Sequence, residues 1–215
     1  MDIEILFILI LILFSNINIS SFISSYYYRK NIYNIGYKNA GASNIYNLYG
    51  LKPALIVGLF DFWIKGFAPL FFLNFFNVNN LVYSICLISI VFFHMFSIFE
   101  KFRGGRGILI SLGIISAIGL WKEVIIVIII FKFLEYILWK NNALSTFFGI
   151  ITFISLTPFI LENVYVIISL ELVFILLLFK RVLTNNIDLK LLLSLNSLFS
   201  RILYDRDLNN IPDSR

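Results

Sequence analysis

The chain has 215 residues, of which 60% are hydrophobic and 13% charged, with a formal net charge of +5 and a mean hydropathy of +0.93. Soluble domains are nearer half apolar and a quarter charged, so a water-exposed globule of this size could not hide so much apolar surface, whereas a bilayer can. The single cysteine, Cys86, excludes an internal disulfide, and 24 phenylalanines suit lipid-facing surfaces and interfacial belts.

Seven apolar segments follow in chain order: 3–19, 53–76, 81–99, 108–121, 124–139, 144–161 and 164–179. A hydrocarbon core about 30 Å thick takes roughly 20 helical residues. The expected fold is therefore all-α, a polytopic integral membrane protein with about seven transmembrane helices. The first segment opens with Asp2 and Glu4 rather than a basic region, and no small-residue cleavage site follows; it is expected to be a retained helix and not a signal peptide. Segments four and five are separated only by Lys122 and Glu123, which predicts two helices joined by a tight turn, with a single helix of about 30 residues as the alternative. Numbering the loops alternately, one set with the tail holds 14 of the 17 Lys and Arg residues, and the opposite set holds only Lys122. The positive-inside rule then puts the N-terminus outside and the tail in the cytoplasm. Tyr26, Tyr27 and Tyr28 beside Arg29 read as an interfacial belt. Residues 1–182 are expected to form the membrane domain and 183–215 a cytoplasmic tail. Within that tail, Leu189, Leu192, Leu195, Phe199 and Ile202 recur at helical spacing, as in an amphipathic helix on a membrane surface, and 205–215 is expected to be disordered.

Two cytoplasmic loops carry the chemistry. Residues 36–44 read GYKNAGASN, with Lys38, Asn39, Gly41 and Asn44, and Gly50 follows. Small residues let backbone N–H groups approach an anion, and amides add donors; a turn-rich linker is the alternative. Residues 102–107 read FRGGRG, just ahead of an apolar helix. Arg103 and Arg106 alternating with Gly104, Gly105 and Gly107 at a helix N-terminus make a phosphate site, beyond what a positive-inside anchor requires. His94, about two turns upstream, fits a buried hydrogen-bonded residue or a catalytic group. Asp61 and Lys65, four apart in the second segment, fit a structural ion pair or a substrate contact. Lys132 and Glu135 fit a structural pair, and Glu171 has no evident local partner.

These stretches resemble the bacterial acyl-phosphate:glycerol-3-phosphate acyltransferases. That family carries GSGNxGATN in its first loop, DxxKG in the next helix, and GHxxPxxxxFKGGKG before the following helix. This chain has GYKNAGASN at 36–44, DFWIKG at 61–66 and FHMFSIFEKFRGGRG at 93–107, with ungapped spacing in the first and third. The resemblance covers about a third of the chain. It implies a seven-helix, N-outside protein of the bacterial inner membrane that moves a fatty acyl group from acyl phosphate to the sn-1 hydroxyl of glycerol 3-phosphate. The products are 1-acylglycerol 3-phosphate and inorganic phosphate, formed in phospholipid synthesis. The donor is already activated, so neither ATP nor a metal cofactor is expected, and no nucleic-acid partner. The resemblance assigns Asn39, Asn44 and His94 to catalysis, His94 as proton acceptor or orienting group. It assigns Lys38, Gly41, Lys65, Arg103, Gly104, Gly105, Arg106 and Gly107 to the substrate phosphates.

The departures from the family pattern are specific. Tyr37 stands for serine and Lys38 for the glycine after it. Asn47 stands for an arginine, Asn31-Ile32-Tyr33 for an upstream DxR, Phe93 for glycine and Ser97 for proline. Arg103 and Arg106 replace lysines, the Asp61–Lys65 spacing is one residue longer, and the C-terminal His/Asn pattern is not recognisable. Two further readings accompany the enzyme: a non-catalytic relative that binds lipid or phosphate or acts as a membrane scaffold, and, more remotely, a small transporter, which would carry more polar or broken helix at mid-membrane.

Overall fold

The structure, a computed structural model, describes residues 2–139, 142–183 and 195–204. The described residues are helical apart from turns, with one isolated bridge between Ser97 and Arg103. Helix α1 (Asp2–Ser15) breaks at Asn16–Asn18 and continues as α2 (Ile19–Tyr26); α3 (Ala42–Tyr49) follows a 3-10 turn at Ile32–Asn34. Next come α4 (Leu51–Leu59), a π-helical stretch (Phe60–Phe67) and α5 (Ala68–Phe75), one continuous helix. The rest are α6 (Asn80–Met95), α7 (Ile108–Ala117), α8 (Trp121–Leu134), α9 (Asn142–Ile160), α10 (Val164–Val182) and α11 (Leu195–Tyr204).

Each of the seven apolar segments is occupied by a helix, and α7 and α8 are separate as expected, but the turn between them lies at 118–120, and Lys122 and Glu123 belong to the first turn of α8. Among the described residues, three helices are long and apolar enough to cross a membrane: Glu4–Tyr26 (α1 and α2 across their break), Leu51–Phe75 and Asn142–Ile160. Asn80–Met95 and Ile108–Ala117 are shorter apolar helices. Large apolar side chains cover the outside of the bundle, among them Leu13, Leu59, Trp63, Ile129, Phe159 and Ile175. A soluble monomer does not expose apolar surface on that scale; this is a multi-pass membrane protein. Helix ends are capped from the sequence: the Asn79 side chain accepts from Leu81 N–H, and that of Asn163 from Tyr165 and Val166 N–H.

The interior has two parts. The larger apolar cluster joins α1, α5, α6, α7, α8, α9 and α10 through residues such as Leu11, Leu70, Ile90, Ile114, Val124, Ile150 and Val173. A smaller one, Ile23, Ile32, Tyr33, Ala40, Ile45, Ala54 and Val57, lies under the segment between α2 and α4. That segment is thus a folded cap rather than an open loop. Tyr28 is tied to it, its ring stacking on Tyr49 with centroids 3.7 Å apart, while Tyr26, Tyr27 and Tyr28 all remain exposed. The Lys132–Glu135 pair forms at 2.7 Å. Of the expected tail helix, α11 packs on α9 and α10 and buries Ser200 and Arg201 while Phe199 faces out. Leu189, Leu192 and residues 205–215 lie outside the described residues.

Candidate functional site: a cationic end of the helix bundle

The first loop is shaped by its own asparagines. Asn44 is fully buried; its Oδ1 accepts the Tyr37 N–H at 2.8 Å, and its Nδ2 donates to Asn39 O at 2.8 Å and Ile35 O at 3.4 Å. The Asn39 amide accepts from Gly41 N–H and donates to Tyr37 O, both at 3.2 Å. Both amides are engaged within the loop and hold its shape. Gly41 is the N-cap of α3. Lys38 is exposed and has φ +54°, a left-handed conformation unfavourable to a β-carbon, at the position where the family pattern has glycine.

The second loop docks on the first and on α6. Ala40 N–H donates to Gly104 O at 3.3 Å, and Gly105 N–H to His94 O at 3.3 Å. Gly105 lies on the imidazole: a β-carbon there would collide with His94 Nε2 and stand 3.0 Å from Cε1 and 3.1 Å from Ala40 O. Helix α7 begins at Ile108 with Gly107 as its N-cap, placing free N–H groups where the sequence predicts them. The two arginines diverge. Arg103 lies 4.6 Å over the Tyr33 ring and donates from Nε to Glu100 O at 3.3 Å. Tyr33 is buried, which together with the Glu100 charge raises its phenol above the usual range. Arg106 turns instead toward α10, where with Arg181, Ile108, Ile150 and Leu177 it lines a cavity of about 10 Å³. Burial, then the Arg181 charge, disfavours the charged Arg106 guanidinium, a tension an anion between them would relieve.

The cations continue inward. Lys180, buried, donates to Met95 O at 2.7 Å, lies 4.2 Å over the Phe96 ring, and is within electrostatic reach of Arg106 and His94. Arg181 donates to Ala143 O at 2.7 Å and Ile202 O at 2.8 Å, and Arg201 to Val182 O at 3.3 Å. Lys65, fully buried, donates to Ser15 O at 2.9 Å and lies 3.3 Å from His94 Nδ1. Lys65 and the buried Asp61 are within electrostatic reach of each other, though not at ion-pair length, and the ammonium in addition bridges the second helix to the broken first one. The helix is π-helical here. It takes up one more residue per turn than an α-helix, and Asp61–Lys65 is one residue longer than the family spacing. The extra residue is absorbed locally, and Lys65 and Gly66 still face His94 and α7.

The structure therefore brings together Lys65, His94, Gly104, Gly105 and Arg106, joins the Asn39–Asn44 loop to them through Ala40, and sends Arg103 elsewhere. The sequence reading missed Lys180 and Arg181, which it counted as tail charges. The positive-inside pattern masks functional cations at a helix end; their immediate adjacency to the apolar run was the available signal. Among the described residues no group of three His, Cys, Asp or Glu side chains stands together to hold a metal.

Fold and site together define an all-helical, multi-pass membrane protein whose cations gather around a glycine loop at one end of the bundle. The family model described as glycerol-3-phosphate acyltransferase matches residues 5–189, and the chain belongs to that family. Among similar curated proteins, the glycerol-3-phosphate acyltransferase of Phytoplasma australiense is 39% identical over 42% of this chain and 46% of its own length. That of Mycoplasma mobile is 30% identical over 74% of this chain and 64% of its own. The chain thus spans about half to two thirds of the length of these relatives. A crystal structure of PlsY, an integral membrane glycerol 3-phosphate acyltransferase, in its glycerol 3-phosphate form has a similar fold, with TM-score 0.74 and 21% identity over 83% of this chain and 88% of that one. The lysophosphatidic acid form matches with TM-score 0.70.

Proposed function

We propose that the chain is a membrane acyltransferase that moves a fatty acyl group from acyl phosphate to the sn-1 hydroxyl of glycerol 3-phosphate. The glycerol oxygen forms the new ester bond, the acyl carbon–oxygen bond to phosphorus breaks, and the hydroxyl proton ends on the released hydrogen phosphate. The observation that carries this reading is a run of buried cations at one end of the bundle, with Lys65 beside His94, His94 against Gly105, and Arg106 beside Arg181 and within electrostatic reach of Lys180. Buried cations repel one another and are stabilised by a dianion, and both substrates are phosphates. An activated donor needs positioning and charge stabilisation more than a strong nucleophile. The cavity between Arg106 and Arg181 has room for about one water, so substrate entry requires these side chains to part. The apolar outer face lets an acyl chain reach the site from lipid.

The site end of the bundle faces the cytoplasm of a bacterial inner membrane, with the N-terminus outside, on the distribution of basic residues. The reaction is tested with radiolabelled glycerol 3-phosphate and purified protein in lipid. Labelled 1-acylglycerol 3-phosphate is expected with palmitoyl phosphate as donor. Label that stays water-soluble with every acyl donor offered, acyl thioesters included, would contradict the reading.

A further inference from the structure

We propose that Lys65 is a positioning residue that fixes His94 as the Nε2–H tautomer, so that this histidine serves the phosphate site as a hydrogen-bond donor and not as a base. The inference rests on the reading of the site as phosphate-binding, but its first test does not depend on turnover. A lysine ammonium has donors and no acceptor. Lys65 Nζ lies 3.3 Å from His94 Nδ1 and 2.9 Å from Ser15 O. The nitrogen it faces must accept, which leaves the ring proton on Nε2.

The placement of Lys65 is itself built. Ser15 O belongs to the break between α1 and α2, where a helix leaves carbonyls without partners. Ser97 Oγ serves Asn16 O at 2.7 Å in the same break, and Ile98 N–H donates to Asn16 Oδ1 at 2.6 Å. The broken first helix is thereby tied to the two elements that carry Lys65 and His94. On the far side of the ring, Nε2 faces the bare backbone of Gly105; among the described residues it makes no hydrogen bond. An N–H directed there points into the loop that ends at Arg106 and the N-terminus of α7, where an anion is favoured. A base at Nε2 would need that nitrogen unprotonated, which would put the proton on Nδ1 against the Lys65 ammonium.

His94 is the single histidine of the chain, so selective 15N-histidine labelling gives an unambiguous NMR spectrum of both ring nitrogens. In wild-type protein, one-bond N–H coupling at Nε2 with an unprotonated Nδ1 is expected. A proton on Nδ1, alone or together with Nε2, overturns the proposal, whether or not the protein is an acyltransferase. Saturating glycerol 3-phosphate should shift the Nε2–H resonance; demonstrated binding with no shift overturns the donor role. In the acyltransferase assay, His94→Gln, which keeps a donor at the ε position, should retain at least a tenth of wild-type kcat. His94→Asn, which offers one only at the δ position, should lose far more. Equal inactivation of two folded variants would favour the base.

Discussion

Gly66 and Gly113 meet with no side chain between them: a β-carbon on Gly66 would stand 3.1 Å from Gly113 Cα and 2.5 Å from Ile110 O. Lipid supplies no hydrophobic drive between membrane helices, so their association rests on close backbone contact of this kind. The same contact holds the π-helical stretch, and Lys65 with it, against α7.

Gly113→Ala is therefore expected to be destabilising by about 1–3 kcal/mol, since its β-carbon would collide with Phe62 O and reach 2.9 Å from Phe67 N. Gly58→Ala, whose β-carbon would meet only Leu109 Cδ1 at 3.6 Å and Ala42 Cβ at 3.9 Å, should change stability by less than about 0.5 kcal/mol. Unfolding in detergent measures both, and equal effects would contradict the packing described.

Deleting Trp63, an exposed residue of the π-helical stretch, should be tolerated. The deletion restores the DxxKG spacing and lets the stretch close as an α-helix, so Lys65 and Gly66 keep their places. Retained folding and turnover are expected; a protein that no longer folds would show that the extra residue is not absorbed locally.

Asn44→Ala removes one acceptor and two donated bonds from a fully buried position. Leaving the Tyr37 N–H and the Asn39 and Ile35 carbonyls without these partners should be destabilising by about 1–3 kcal/mol. The loop between α2 and α4 should also become open to proteolysis. If Asn44 instead acted only on substrate, the variant would lose turnover with stability and protease resistance unchanged.

Much of the fold is legible in the sequence because lipid demands apolar helices: each apolar segment holds a helix, and the separation of α7 from α8 was expected, though charge misplaced the turn by three or four residues, since Lys122 and Glu123 open α8. The fold of the cap was not, because α3 is eight residues long and its cluster mixes tyrosine with small residues. The glycine loop and His94 are readable from spacing. That Asn39 and Asn44 bind their own loop, and that Arg103 turns to Tyr33 while Arg106 turns to Arg181, depends on side-chain direction, which spacing does not carry. Lys65 stays within electrostatic reach of Asp61, as its spacing implies; that its ammonium also donates to Ser15 O and meets His94 is not carried by spacing.

Arg106→Ala should weaken glycerol 3-phosphate binding roughly 10- to 150-fold, the equivalent of one charge-assisted contact of about 1.5–3 kcal/mol. Arg103→Ala should have a smaller effect, since that guanidinium lies on Tyr33. Titration calorimetry in detergent compares them. Unchanged affinity in Arg106→Ala would reduce the loop to a membrane anchor.

Acyl transfer from an acyl phosphate at this cationic site is tested by its stoichiometry. Purified protein supplied with palmitoyl phosphate and glycerol 3-phosphate should release one inorganic phosphate for each 1-acylglycerol 3-phosphate formed, and Arg106→Ala should suppress both together. Folded protein that binds glycerol 3-phosphate, is supplied with acyl phosphate and forms no acyl product would contradict it.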